Sequence, residues 1–229
     1  MVDSPLPSRE RLTVAEEVYR ALKRDVTMLK HKPGASLSEQ DLANLYGSSR
    51  VPVREACRRL QQEGLLTAVP YKGYFVNQIS IKEIRDCYDL RQLLESHALK
   101  LATERASRED LERLESLAKT EYTFNDWASY ADFLDANLDF HMQLAALSAN
   151  ERLVLALADL LGSMQRFFFL GLDLDDFASE MRLEHEELIS LVQQGSSDAV
   201  IGCLTRQITD SYGRIMRAIA NRGINLPLE

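Results

Sequence analysis

Arg50, Arg54 and Arg58 recur at four-residue intervals in "SSRVPVREACRRLQQEGLL", with Arg59 beside them. Residues four apart on a helix share a face. A guanidinium offers paired N–H donors that match a phosphate or the O6/N7 edge of guanine. The chemistry open to such a row is nucleic-acid recognition. The competing reading is a solvated charged face, the usual condition of arginines on an amphipathic helix, and it is preferred for Arg58 and Arg59. Arg50 and Arg54 differ because they stand at the start of the segment, where a helix entering a major groove presents side chains to bases and phosphates.

The segment's own pattern supplies that helix. Val53, Ala56, Cys57 and Leu60 fall at i, i+3, i+4 and i+7, an inward face. Ser49 is placed to cap it, Pro52 falls in its first turn, where no helical hydrogen bond is lost, and Gly64 closes it. Upstream, "TVAEEVYRALKRDVTMLK" spaces Val14, Val18, Leu22, Val26 and Leu29 as a helical stripe that "HKPG" stops. A short helix fits "SEQDLANLY", with Ser38 as cap, Asp41 three residues on, and Gly47 as terminator. Downstream, "LLTAV" and "GYFVNQI" read as two short strands around the turn "PYKG". Three helices and a two-stranded hairpin make residues 1–79 a winged helix-turn-helix pattern, the DNA-binding part of the chain.

Composition is that of an ordinary globular protein, 45% hydrophobic and 27% charged. The formal charge of −8 conceals an asymmetry. Residues 1–79 carry 12 Lys and Arg against 9 Asp and Glu, whereas residues 80–229 carry 15 against 26. An acidic whole therefore does not argue against nucleic acid for the first part. Cys57, Cys87 and Cys203 are odd in number and widely spaced, which suits buried thiols in a reducing compartment. The first residues lack the apolar core of a signal peptide, and no apolar run approaches the ~18 residues that span a bilayer. No membrane association and a bacterial cytoplasmic location are the expectations. From residue 80 onward the pattern predicts helices at roughly 81–105, 107–122, 127–148, 150–171, 175–194 and 197–221. Ser107 with Asp110, and Asn150, supply starts and Gly195 a stop. Six helices on short connections predict an antiparallel bundle, so the fold class is mainly α: a winged helix-turn-helix followed by an all-α bundle.

"PGASLSEQDLANLYGSSRVPVREACRRLQQEGLL", then "GYFV", then "DLRQLLESHALKLA" resemble the GntR family of bacterial transcription regulators, and the second part resembles its FadR-type, or FCD, domain. The resemblance covers essentially the whole chain. It implies a homodimer on double-stranded DNA at a palindromic operator, with residues 80–229 binding a small effector, often a carboxylate, and dimerising. It places DNA contacts on Arg50 and Arg54, with Ser49, Val51 and Pro52 lining the helix start. Gln40 stands where the family commonly has an arginine, and Lys72 before Gly73 matches its basic wing residue. Tyr71 either packs on the sugar-phosphate backbone or on its own domain.

Many FCD domains resemble one another in holding a divalent metal, zinc or nickel, with an aspartate and three histidines. Those positions map here onto Asn137, His141, His185 and Gln207. Two depart from the pattern, since Asn and Gln bring neither charge nor an imidazole nitrogen. The alternatives are a metal site, or pocket histidines hydrogen-bonded in a metal-free domain. Arg91, with His141 and His185, is the candidate for an effector carboxylate, though it could equally pair with Glu95 one turn on. The run at 166–169 either lines that pocket or packs in the core, and Trp127 is expected to pack. No role follows for His31 or His97. A helical metalloenzyme is the rival from another class, but no HExxH, P-loop or G-x-S-x-G is present. A constitutive DNA-binding protein without effector is the other rival.

Overall fold

The computed structural model describes residues 12–229 apart from 175, 222 and 229. The N-terminal residues read above for a leader core lie outside them. Two compact units form, one from residues up to Val26 with His31–Asn77, the other from Thr27–Lys30 with Gln78 onward.

In the first unit, α1 (Val14–Thr27) buries Val18, Leu22 and Val26. The expected stripe is trimmed at both ends. Val14 is exposed, and Leu29 sits past the helix end in the left-handed region, φ 54. α2 (Glu39–Leu45) starts as expected, with the Ser38 hydroxyl accepting from the Asp41 amide. α3 (Arg50–Gln62) buries Val53, Ala56, Cys57 and Leu60 completely. Three strands are present where two were expected. β1 (Ser36–Leu37) pairs with β3 (Gly73–Val76), which also pairs with β2 (Leu66–Val69), all antiparallel in the order β1-β3-β2. Two residues are too short to show alternation, so β1 left no mark in the sequence.

The second unit contains α4 (Ile81–Thr103), α5 (Arg108–Ala118), α6 (Trp127–Ala146), α7 (Glu151–Leu174), α8 (Ala178–Gln193) and α9 (Ser197–Asn221). Ser80 and Asp126 cap α4 and α6, and Ser107 with Asp110 forms a capping box on α5. The packing is antiparallel between α4 and α9, where Tyr88 meets Ser211 and Gln92 meets Thr205. α7 corrects one expectation, because its length and composition do suffice to cross a membrane. Of its most apolar stretch, 67% is buried inside this unit. From Leu160 to Leu172 α7 is buried on nearly every side, as the centre of a bundle requires, while Arg152, Leu155 and Asp159 of its first half are exposed. Phe167 and Phe169 fill that centre, with Tyr130 and Phe140.

Gly73 joins the turn of the wing to β3 at φ 91, and a Cβ there would stand 2.9 Å from the Leu37 carbonyl oxygen of β1. Gly64, at φ 71, has nothing within 4 Å of the same position. Gly64→Ala should therefore cost about 1 kcal/mol for backbone strain alone, and Gly73→Ala clearly more, up to about 3 kcal/mol. Denaturant titration of both variants by circular dichroism measures the difference; equal losses would contradict the clash with β1.

Candidate functional site

At the exposed start of α3, Arg50 and Arg54 converge on one carboxylate. Glu39, the first residue of α2, takes a two-pronged bond from Arg54, Nε to Oε1 at 2.8 Å and Nη2 to Oε2 at 2.7 Å. Arg50 Nη2 adds a third bond at 3.1 Å. The Arg54 bonds, reinforced by Arg50, hold the Glu39 carboxyl below its ordinary value against a smaller opposing effect of burial. Two long side chains are thus fixed side by side, as planar guanidinium groups suit. Val51 is 73% exposed between them, an apolar contact surface beside two cations.

Ser49 stands at the cap position of α3, but its hydroxyl makes no bond to the first turn, contrary to expectation. Pro52 has no N–H, so the amides of Arg50 and Val51 head that turn without a side-chain cap. Gln40 is exposed and bonds Asn44 one turn on. Lys72 and Tyr71 are exposed at the wing tip, and Tyr71 has φ 64. Tyr71 is fully exposed, so it does not pack on its own domain. Arg58 is exposed, while Arg59 bonds Glu16 at 2.7 Å and lies 3.5 Å over the Tyr19 ring.

A second polar site lies within the helical unit. Arg91, Asn137, His141, Phe168, His185, Gln207, Ser211 and Arg214 line one cavity. It is small, about 20 Å³ measured to water centres, room for about one water. Arg91 Nε donates to Glu95 Oε2 at 2.9 Å, and its Nη2 lies 3.2 Å from His141 Nε2. A guanidinium only donates, so Nε2 accepts and the His141 proton sits on Nδ1, 3.0 Å from Glu95 Oε1. Burial works against the Glu95 charge, but Arg91 and then His141 outweigh it and hold the carboxyl down at about 2. His185 stacks on Phe140 at 4.0 Å, and burial, with His141 and Arg91 nearby, lowers its pKa well below 6.5. Arg214 is forked on Glu184 at 2.6 and 2.9 Å. Gln207 donates to the Glu184 carbonyl and to Cys203. Asn137 Oδ1 is buried with no hydrogen-bond partner among the described residues.

The four positions mapped for metal therefore meet at one cavity, yet their chemistry does not fit a resident zinc or nickel ion. The set is neutral, two arginines share the space, and the His141 Nε2 lone pair already serves Arg91. Among the described residues, no three His, Cys, Asp or Glu side chains are grouped to hold an ion. Sequence reasoning missed Glu39, Glu184, Ser211 and Arg214. Glu39 carried a weak signal, as a carboxylate directly after a cap residue; the others lie far along the chain from Arg91.

Comparison with known proteins bears on both sites. Residues 14–76 match the profile of the bacterial regulatory proteins of the gntR family, and residues 86–210 match that of the FCD domain. The HTH-type transcriptional repressor RspR of Escherichia coli K12 is 25% identical over 197 residues, 86% of each chain. An HTH-type regulator from an unstable DNA locus of Streptomyces ambofaciens is 30% identical over 184 residues, 80% of this chain and 77% of that one. The structure of E. coli McbR/YncC superposes with a TM-score of 0.74 at 21% identity, over 90% of this chain and 99% of that chain, a likeness of fold.

Two measurements test the cavity. Glu95 keeps its charge from the ordinary 4.5 down to about 2, so its contribution is present above pH 4.5 and is lost as pH falls toward 2. His185 refuses a proton that the unfolded chain accepts, so stability also declines as pH drops below 6.5. Thermal unfolding followed by Trp127, the single tryptophan, should show both declines. His185→Phe should flatten the decline that begins below pH 6.5, and Glu95→Gln should cost about 3–5 kcal/mol at pH 7 by stranding Arg91. A pH-independent midpoint from 7 to 5 would refute the His185 part. For metal, wild type should bind zinc or nickel weakly and release it to mild chelators. Asn137→Asp with Gln207→His should tighten binding sharply, by restoring an anion and an imidazole, and His141→Ala should undo the gain. Titration of all three decides whether these positions form one ligand set.

Proposed function

The chain belongs to the GntR family of bacterial regulatory proteins and carries an FCD domain, and from that premise we propose that it binds a palindromic operator as a homodimer under control of a small effector. It is a DNA-binding transcription regulator, as its relatives are, and not an enzyme. The observation that carries the finer reading is the Arg50–Arg54 pair fixed on Glu39 at the exposed, uncapped start of α3. On DNA, base edges and phosphates exchange with Glu39 for these arginines, and the open amides of the first turn receive a phosphate. Ser49, Val51 and Pro52 shape that contact, Gln40 supports it from α2, and Lys72 and Gly73 bring the wing to the backbone. Repression is the proposed direction, by analogy with the repressor RspR, and the bacterial cytoplasm is the proposed place.

The effector reading rests on this polar cavity. Arg91 and Arg214 supply cations, each already paired with a carboxylate, and Asn137 Oδ1 asks for a donor. A small carboxylate bearing an N–H or O–H group matches this set, replacing Glu95 or Glu184 on an arginine as it enters. His141 and His185 then lie beside it as hydrogen-bonding rings. The cavity as it stands has room for about one water, and displacement of its lining side chains by the incoming molecule is the proposed source of control.

Operator binding at one fixed salt concentration tests the interface. Arg50→Ala or Arg54→Ala should abolish specific binding with the fold intact, at about 1–3 kcal/mol per base contact and twice that across a dimer. Lys72→Ala should instead weaken all sequences alike and make the log–log salt dependence shallower by about 0.9. Arginine variants with wild-type operator affinity would mean that α3 does not enter the groove. A change of sequence preference alone in Lys72→Ala would mean that the wing reads bases.

A further inference from the structure

Two guanidinium groups face the polar cavity, and they are not equally free to change partners. The side chains of Arg91 and its carboxylate Glu95 are only 6% and 5% exposed. Arg91 also divides its donors between Glu95 and His141. An anion displacing Glu95 would strand a buried charge, which is strongly unfavourable. Arg214 and Glu184 stand nearer the surface, at 11% and 21%. The two Nη atoms of Arg214 lie on the two oxygens of Glu184. The whole fork can therefore pass to an incoming carboxylate in one exchange, while Glu184 turns into solvent.

Arg214 also holds down the start of α8. Phe177, Met181 and Glu184 follow at i, i+4 and i+7, one face of that helix. Met181 and Glu184 line the cavity, and the Arg214 guanidinium carbon lies 5.7 Å from the Phe177 ring centre. Little else secures these two turns. None of the described side chains from Phe177 to Glu184 is buried, whereas His185, Leu188, Ile189 and Val192 are. Phe177 gives the helix no side-chain cap, and its amide donates to the Tyr122 hydroxyl at 2.6 Å. Arg182 pairs with Glu121 and Glu186 at the surface, contacts worth little. The Gln207 amide holds the Glu184 carbonyl at 2.6 Å, and there the thinly held part ends.

We propose that Arg214 is the cation that receives the effector's carboxylate, and that Glu184, displaced by it, unlatches the first two turns of α8 as a lid over the cavity. Arg91 keeps Glu95 and His141 in place and takes no part in the exchange. Movement of the lid supplies the room that a cavity of about one water lacks. This rests on the effector reading above and is tested apart from it, because it singles out one of two arginines and one of two carboxylates.

Glycolate, the smallest hydroxy-carboxylate, is the probe, and its binding to the full chain is followed by calorimetry at fixed ionic strength. Arg214→Gln should weaken binding about tenfold or more. Glu184→Gln should tighten it about threefold or more, because the internal competitor is gone. A carboxylate with a merely structural part would not strengthen binding by its removal, so Glu184→Gln alone decides the matter should Arg214→Gln not fold. Hydrogen exchange read by mass spectrometry follows the lid. Residues 179–184 should exchange faster in Arg214→Gln than in wild type, and faster in wild type with glycolate than without, while α4 keeps its protection. Wild-type affinity in Arg214→Gln overturns the proposal, as does unchanged or weaker binding in Glu184→Gln, or protection of residues 179–184 by glycolate. Each of these leaves the effector reading standing. Glycolate that binds neither wild type nor variants overturns both.

Discussion

The helical unit is organised around a carboxylate that has been taken out of water. Glu95 is almost wholly buried, and so is Arg91 one turn before it. Removing two such charges from water costs several kcal/mol each, and attraction repays this only when geometry is tight and the remaining polar atoms are satisfied. Here Arg91 serves one oxygen of Glu95 and the His141 ring faces the other. α4 and α6 must therefore meet at one height, because the three groups come from both helices. Once they do, His141 has its tautomer, Arg91 its orientation, and the cavity its two walls.

The same device recurs in the first unit at the protein surface. Glu39 holds Arg50 and Arg54 as Glu95 holds Arg91 and Glu184 holds Arg214. At each site a cation is held on an internal carboxylate, and an outside anion takes the place of Glu39 or Glu184 on the readings proposed above. Binding is then an exchange of partners rather than the capture of a bare charge. The net gain per contact is smaller than the attraction alone suggests, while geometry is set in advance, so discrimination between ligands improves.

The parts legible in the sequence are those fixed by neighbours a few residues away. Val53, Ala56, Cys57 and Leu60 announce the buried face of α3, and Ser38, Ser107 and Asn150 announce helix starts, because period and capping are local. Arg91 and Glu95 could be paired from their spacing. His141 could not be added to them by spacing, since it lies 50 residues on and arrives through packing. β1 was invisible because two residues owe their pairing to the partner strand. α7 went the other way: its composition permits a membrane helix, and only its neighbours make it a core. Ser49 has the right residue type for a cap, yet its hydroxyl leaves the amides ahead of Pro52 open, a matter of one rotamer.

That open turn leaves the first amides of the proposed recognition helix without a side-chain cap. A helix end without a cap frays and re-forms on the timescale of helix–coil motion, about a microsecond or faster. The arginines ride on the first coils to let go, although Glu39 tethers them. On the reading proposed above, an anion arriving at the amides supplies the partner that the Ser49 hydroxyl does not, while Glu39 keeps the arginines in register. On that reading, phosphates met along unrelated sequence fill this helix end only briefly, and a matched site fills it for longer. Dwell time on DNA would then depend on how completely that one turn of helix is held.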